Sequence, residues 1–325
     1  MSLLPSKAGF EITIEKVVVN KNLNQPNLSS LDGDYEAPIE IESSVETTIT
    51  FKIHKTIEAT KMVEDITIIA TITAKILADK DFRIQSENIQ MLNKRLGTGN
   101  SADVHLAEYT NNSIITKVAV KTLKRNCLKV DTLKEIKLLS SCKHENIVKF
   151  IGWMETSDEQ MCIITEYMGG GDLSTYLTTP DKLLMVSTVF NYIFQVLDAM
   201  IYLSQKHILH RDLAARNCLL NETYEILKIN DFGLSREMDI NYEYISEANP
   251  RLPFRWLPLE ALLPNSSEYR TFTQKGDIWA FGVLLWEMFQ RGQQPYDDVK
   301  YPSELANFLS TGRRLSKPEY CHEDL

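Results

Sequence analysis

The chain has 325 residues, 43% of them apolar and 24% charged, enough for a two-lobed enzyme domain and a small extra module. A formal net charge of -9 and a pI near 5.3 argue against nucleic acid as the main partner. The five cysteines (Cys127, Cys142, Cys162, Cys218, Cys321) lack metal-ligand spacing, and their odd number favours buried or free thiols in a reducing compartment.

Met1 to Pro5 carries no signal-peptide pattern, and no uninterrupted apolar run reaches the roughly 18 residues that span a bilayer. The expectation is a cytoplasmic chain, with a membrane receptor whose spanning segment lies outside this sequence as the alternative. Apolar residues alternate at Phe10, Ile12 and Ile14, at Val45, Ile49, Phe51 and Ile53, and from Ile66 to Ile76. Period two is the mark of half-buried strands. A polar segment from about Asn20 to Asp34 reads as a loop. Residues 1–80 are therefore expected to form a small β-rich accessory module of unknown role.

From about Asp81 the pattern changes. Leu96-Gly97-Thr98-Gly99-Asn100-Ser101-Ala102-Asp103-Val104 holds a G-x-G pair, and glycine permits the close backbone approach that a phosphate requires. Val118-Ala119-Val120 ends an apolar strand on Lys121, and Glu135 lies on the helical pattern Leu133 to Leu139. His144-Glu145-Asn146-Ile147-Val148 follows. Ile163 to Met168 reads as a strand entering a short connection, and Asp172 after three glycines is a candidate helix N-cap. Val186, Val189, Phe190, Ile193, Phe194, Leu197, Met200 and Ile201 have the spacing of a core-facing helix. Beyond it come His210-Arg211-Asp212-Leu213-Ala214-Ala215-Arg216-Asn217 and Asp231-Phe232-Gly233. Tyr242 and Tyr244 then sit in an acidic stretch before Leu252-Pro253-Phe254-Arg255-Trp256 and Pro258-Leu259-Glu260. Gly276 to Trp286 is apolar all round, which predicts a buried helix, with Trp279 and Phe281 as core.

The run from His210 to Asn217 matches every fixed position of the H-R-D-L-x-x-x-N catalytic loop of protein kinases. Ala214 stands where serine/threonine kinases commonly carry lysine, and the cation is Arg216, so the loop resembles that of receptor-type protein tyrosine kinases. The other motifs follow in that family's order. The resemblance implies an α+β bilobal kinase domain over 81–325, with a small lobe at 81–165, a hinge at 166–170 and an α-helical large lobe at 171–325. It also implies ATP and Mg2+, transfer to tyrosine hydroxyls of protein substrates, phosphotyrosine-binding adaptors as partners and a transient dimer for trans-phosphorylation.

By the same resemblance Asp212 is the base, Arg216 offsets charge, Lys121 contacts the ATP phosphates, Glu135 holds Lys121, and Asn217 and Asp231 bind the metal. Gly97 and Gly99 cover the phosphates. Leu96, Val104, Ala119 and Leu219 sandwich the adenine, while backbone groups from Glu166 to Met168 meet its edge and Thr165 is the gatekeeper. Leu139, Phe150, His210 and Phe232 stack as a column between the lobes. Tyr242 and Tyr244 are the regulatory tyrosines, with Arg211 and Arg236 as phosphate ligands. Three departures stand out. Ala102 replaces the third glycine of the phosphate loop, Pro258-Leu259-Glu260 replaces A-P-E, and the chain stops at Leu325 before the two last helices of the family pattern. The large lobe is thus expected to be C-terminally truncated, with Glu260 a buried carboxylate lacking its arginine.

Overall fold

The computed structural model describes residues 35–40, 48–53, 82–99, 102–124, 129–158, 160–180, 185–238, 243–247, 253–263, 269–318 and 321. In the N-terminal region β1 (Tyr35–Glu40) and β2 (Thr48–Ile53) pair antiparallel, with Tyr35 opposite Ile53 and Glu40 opposite Thr48. The expected strand at 45–53 is thus present from Thr48. Its partner at 35–40 was not anticipated, and the strands expected around Phe10 and Ile66 to Ile76 lie outside the described residues.

The next sheet is built from β3 (Ile89–Thr98), β4 (Ala102–Asn111), β5 (Ile114–Leu123), β6 (Phe150–Glu155) and β7 (Met161–Glu166), in the order β3-β4-β5-β7-β6. Asn112 and Ser113, both at positive φ, make the two-residue turn that joins β4 to β5. Period two sorts the residues of β5: Val118 and Val120 are buried with Ala107, Cys162 and Ile164, whereas Ala119 and Lys121 face the other way and stay half-buried. Helix α1 (Lys129–Ser141) buries Ile136 and Leu139, and it carries Glu135 inward on the same face.

The second lobe is mainly helical. Its elements are α2 (Leu173–Thr178), α3 (Val186–Gln205), α4 (Leu259–Leu262), α5 (Gln274–Phe289) and α6 (Pro302–Ser310). Asp172 caps α2 as expected, accepting the Thr175 N–H at 2.8 Å. Short strands β8 (Gly171–Asp172), β10 (Cys218–Leu220) and β11 (Leu227–Ile229) form one small sheet; β9 (Ile208–Leu209) pairs with β12 (Arg236–Glu237), and β13 (Glu243–Glu247) with β14 (Tyr269–Thr273).

The helix expectations need correction. In α3 the buried residues are Val189, Tyr192, Ile193, Val196, Ala199 and Leu203, while Val186, Phe194, Leu197 and Ile201 are exposed. The helix carries one polar stripe, Ser187, Asn191, Gln195 and Asp198, but its apolar arc is wider than the face that packs, so the sequence overstates the buried set. By length and composition α3 is the one helix among the described residues able to cross a membrane; here one face of it packs in the large-lobe core. Helix α5 is likewise one-sided, burying Asp277, Ala280, Val283, Leu284, Glu287 and Met288 while Ile278 is exposed.

Glu260 is not the buried carboxylate that its sequence position implied. It is exposed, because the single turn of α4 directs Ala261 and Leu262 into the core instead.

Candidate active site

Lys121 Nζ lies 2.7 Å from Glu135 Oε1 and 2.9 Å from Asp231 Oδ1, so one ammonium joins β5, α1 and the segment after β11. Burial disfavours the Lys121 charge, but Asp231 and Glu135 outweigh it and hold its pKa above the ordinary lysine value. Reciprocally, the Lys121 ammonium lowers Asp231 to about 2, against the effect of burial. Asp231 adopts a positive φ of 65°, and Phe232 after it is fully buried, with its ring 5.2 Å from that of His210. Leu139, Phe150 and Phe232 belong to one buried cluster that spans both lobes, and His210 is wholly buried against Phe232.

The loop from His210 to Asn217 is held from below. Asp277 on α5 accepts the backbone N–H of His210 at 2.8 Å and of Arg211 at 2.9 Å. Arg211 has a positive φ of 67°, a conformation disfavoured for any residue with a Cβ, and the paired bonds to Asp277 fix it there. Burial raises Asp277 to about 6 against these two N–H donors. Asp212 receives the guanidinium of Arg216 four residues on, and Asn217 Nδ2 donates to the Asp212 carbonyl at 2.6 Å. Burial raises the Asp212 carboxyl to about 6, with Arg216 opposing the rise.

Leu96, Val104, Ala119 and Leu219 are all half-buried, and Met168 is buried. The Glu166 N–H is already donated to the Lys149 carbonyl at 3.0 Å, and its carboxylate binds Lys228 Nζ at 2.7 Å. A ligand edge would therefore meet other backbone groups of 166–168. Gly97 and Gly99 flank the β3–β4 turn, whose base is fastened by Gly99 N–H to the Ala102 carbonyl at 2.8 Å and by Lys124 Nζ to the Gly99 carbonyl at 2.6 Å. The Ala102 side chain is buried in the core, so the methyl at the third glycine position is accommodated by packing.

Residues 90–325 match the family model described as protein tyrosine and serine/threonine kinase. The chain belongs to that family. It is 39% identical over 237 residues to the tyrosine-protein kinase transmembrane receptor Ror of Drosophila melanogaster, covering 70% of this chain and 33% of that protein. It is 38% identical over 242 residues to human tyrosine-protein kinase ABL2, covering 74% and 20%, and 35% identical over 255 residues to the NT-3 growth factor receptor of Sus scrofa, covering 72% and 30%. The chain thus spans a third or less of the length of these relatives. The bilobal α+β kinase fold expected from the motifs is the fold of this kinase.

The structure joins Lys121, Glu135 and Asp231 in one group and Asp212, Arg216 and Asn217 in another, and sets them side by side where the Asn230 N–H donates to the Asn217 carbonyl at 2.8 Å. Tyr244 lies beside it on β13, with the Arg211 guanidinium 4.7 Å and that of Arg236 6.0 Å from its ring centroid; Tyr242 lies outside the described residues. Two positioning groups escaped the sequence reading. Asn146 Nδ2 donates to the Leu227 carbonyl at 2.9 Å, tying the α1–β6 connection to the strand that leads into Asp231. Glu287, buried on α5, accepts from the Ala215 N–H at 3.0 Å and from Trp256 Nε1 at 2.9 Å. The only available signal for Glu287 was a carboxylate in an otherwise apolar helix.

Proposed function

We propose that this kinase transfers the γ-phosphoryl group of ATP to tyrosine hydroxyls of protein substrates. The observation that carries this reading is the Lys121 ammonium held between Glu135 and Asp231, with the Asp212 carboxylate and Arg216 in the same cleft. Lys121 would orient the phosphates, and Glu135 keeps it extended toward them. Asp212, at about 6, is ionised at neutral pH and is the group that would accept the proton of an incoming hydroxyl. Arg216 offsets charge beside it. Leu96, Val104, Ala119 and Leu219 would enclose the adenine, with Gly97 and Gly99 over the phosphates.

Asn217 and Asp231 suit a hard cation. Asp231 is fully ionised, and because Asn217 Nδ2 is occupied by the Asp212 carbonyl, its amide oxygen is the atom left to act as a ligand. Two protein oxygens fit Mg2+, which keeps waters and takes phosphate oxygens; when bound it would neutralise the charge that develops on the transferred group.

The catalytic domain would occupy 81–325, with its hinge at 166–170, and residues 1–80 would be an accessory β module. Tyrosine-containing proteins are the substrates, phosphotyrosine-binding adaptors are partners of the modified form, and trans-phosphorylation would pass through a transient dimer. The reaction would take place in the cytoplasm, on a chain that is free there or attached to a membrane segment. A catalytically silent scaffold is the rival, suggested by the departure from the glycine pattern at Ala102, although the Ala102 side chain packs in the core. Incubation of the full chain with ATP, Mg2+ and a Glu/Tyr copolymer, followed by phosphoamino-acid analysis, decides between them. Phosphotyrosine almost exclusively, lost in Asp212→Asn, is expected; predominant phosphoserine would sink the tyrosine assignment, and equal labelling by wild type and Asp212→Asn would establish the scaffold.

A further inference from the structure

The segment Phe254–Trp256 and the turn Ala215–Asn217 lie far apart in sequence, yet both hydrogen-bond to a single oxygen, Glu287 Oε2. Trp256 is in turn the platform for Arg216, whose guanidinium lies 4.2 Å from the indole centroid. Arg216 then binds the Asp212 carboxylate. The connected order is Glu287, Trp256, Arg216, Asp212.

We propose that Glu287 is a positioning residue for phosphoryl transfer, setting the place of Arg216, and through it of the Asp212 carboxylate, by tethering the Trp256 indole to the catalytic loop. The proposal rests on the tyrosine-kinase reading of the cleft.

The chemistry of the position supports it. Glu287 is 4% exposed, and a carboxylate buried to that extent is destabilising unless its partners make up for the lost water. A packed apolar side chain would stabilise α5 at least as well, so stability alone does not account for an acid here. Its hydrogen-bond partners are two neutral donors, each on a segment that flanks the cleft. The charged and titratable groups facing it are Arg216 and Asp212 on the catalytic loop and Cys218 just beyond it. Burial raises its pKa, the indole and amide donors oppose the rise, and the nearby Asp212 charge adds to it. The two carboxylates therefore sense one another, with Arg216 between them in charge. A stacked guanidinium on a fixed indole is restricted to motion in the ring plane, which keeps its N–H groups directed at Asp212.

The test compares the full wild-type chain with Glu287→Gln, Glu287→Ala and Trp256→Phe. Glutamine keeps a carbonyl acceptor for both N–H donors and removes the charge; alanine removes both. For Glu287→Ala, kcat toward a tyrosine peptide should fall about tenfold or more while the KM for ATP stays within about twofold. For Glu287→Gln, most of kcat should return, because the amide oxygen still accepts from both the Ala215 N–H and the Trp256 indole. The indole N–H resonance of Trp256, identified among the four tryptophans by its loss in Trp256→Phe, should shift in both Glu287 variants. Wild-type kcat in Glu287→Ala would overturn the proposal, as would equal losses of kcat and ATP affinity in the alanine and glutamine variants, which mark a merely structural residue. If wild type transfers no phosphate, the kinase reading fails; the Trp256 resonance is read without turnover, and an unmoved signal in Glu287→Ala overturns the tether on its own.

Discussion

The Asp231 carboxylate accepts a 2.9 Å hydrogen bond from Lys121 Nζ across 110 residues of sequence, and this contact holds the two lobes in a single electrostatic arrangement. Replacing Asp231 by Asn removes the carboxylate charge that faces Lys121 and that would ligate the metal on the proposed mechanism. Phosphate transfer to a tyrosine peptide should fall by a factor on the order of a hundred or more in Asp231→Asn and in Asp212→Asn. Only the Asp212 variant should keep wild-type ATP affinity, because its side chain faces the hydroxyl and not the phosphates. Steady-state kinetics with an ATP titration reads both quantities.

Asp212 sets the acid side of the pH profile. Burial holds its pKa near about 6, and only the ionised form accepts a proton. The peptide kcat/KM should therefore be flat through neutral pH and decline as pH drops through about 6, about tenfold per unit once below it. Substituting Arg216 by Gln removes the charge that opposes burial, so the midpoint should move to higher pH. A midpoint that stays put would show that another group controls the limb.

His210 provides a stability test with a defined sign. Burial lowers its pKa from 6.5 to about 4, so the unfolded chain binds a proton in that window that the folded chain refuses. The contribution is fully present above about 6.5 and is lost as pH falls toward 4. Between neutral pH and about pH 5 the loss should be about 2 kcal/mol. His210→Phe should be less stable at neutral pH, since Asp212 N–H and the Asn230 carbonyl lose their ring partners, but its stability should fall less on acidification. Asp212 and Asp277 titrate in both proteins and cancel in the comparison. Urea unfolding at the two pH values measures the difference.

Tyr244 sits where phosphate would meet two arginines. The Nε groups of Arg211 and Arg236 are buried without hydrogen-bond partners, and both guanidinium groups lie near the Tyr244 ring. A phosphate there would add nearly two negative charges and several acceptors. Preincubation with ATP and Mg2+ should raise activity of the wild type and not of Tyr244→Phe, while the initial unphosphorylated rates remain close. A time course of peptide phosphorylation with mass spectrometry of residues 239–247 checks this; full activation without phosphate on the segment would remove Tyr244 from regulation.

The candidate site residues that the structure brings together stood out in the sequence because they fall in short motifs of fixed local spacing: Asp212 and Asn217 share one loop, and Asp231 with Phe232 and Gly233 share one turn. The Asp172 cap was readable for the same reason, since capping acts over a few residues. Packing faces were not. The apolar arc of helix α3 is wider than the face that packs, so the choice of Tyr192, Val196, Ala199 and Leu203 as its buried face was made by the elements it meets. Glu260 was misjudged for a similar reason: one turn of helix points it away from the core, and no local pattern specifies that direction. Glu287 and Asn146 act across 72 and 81 residues, on Ala215 and Leu227 respectively. Sequence determines which groups exist and their spacing along the chain, whereas only the closing of the lobes and the crossing of α5 under the catalytic loop decide which buried carboxylate meets which N–H.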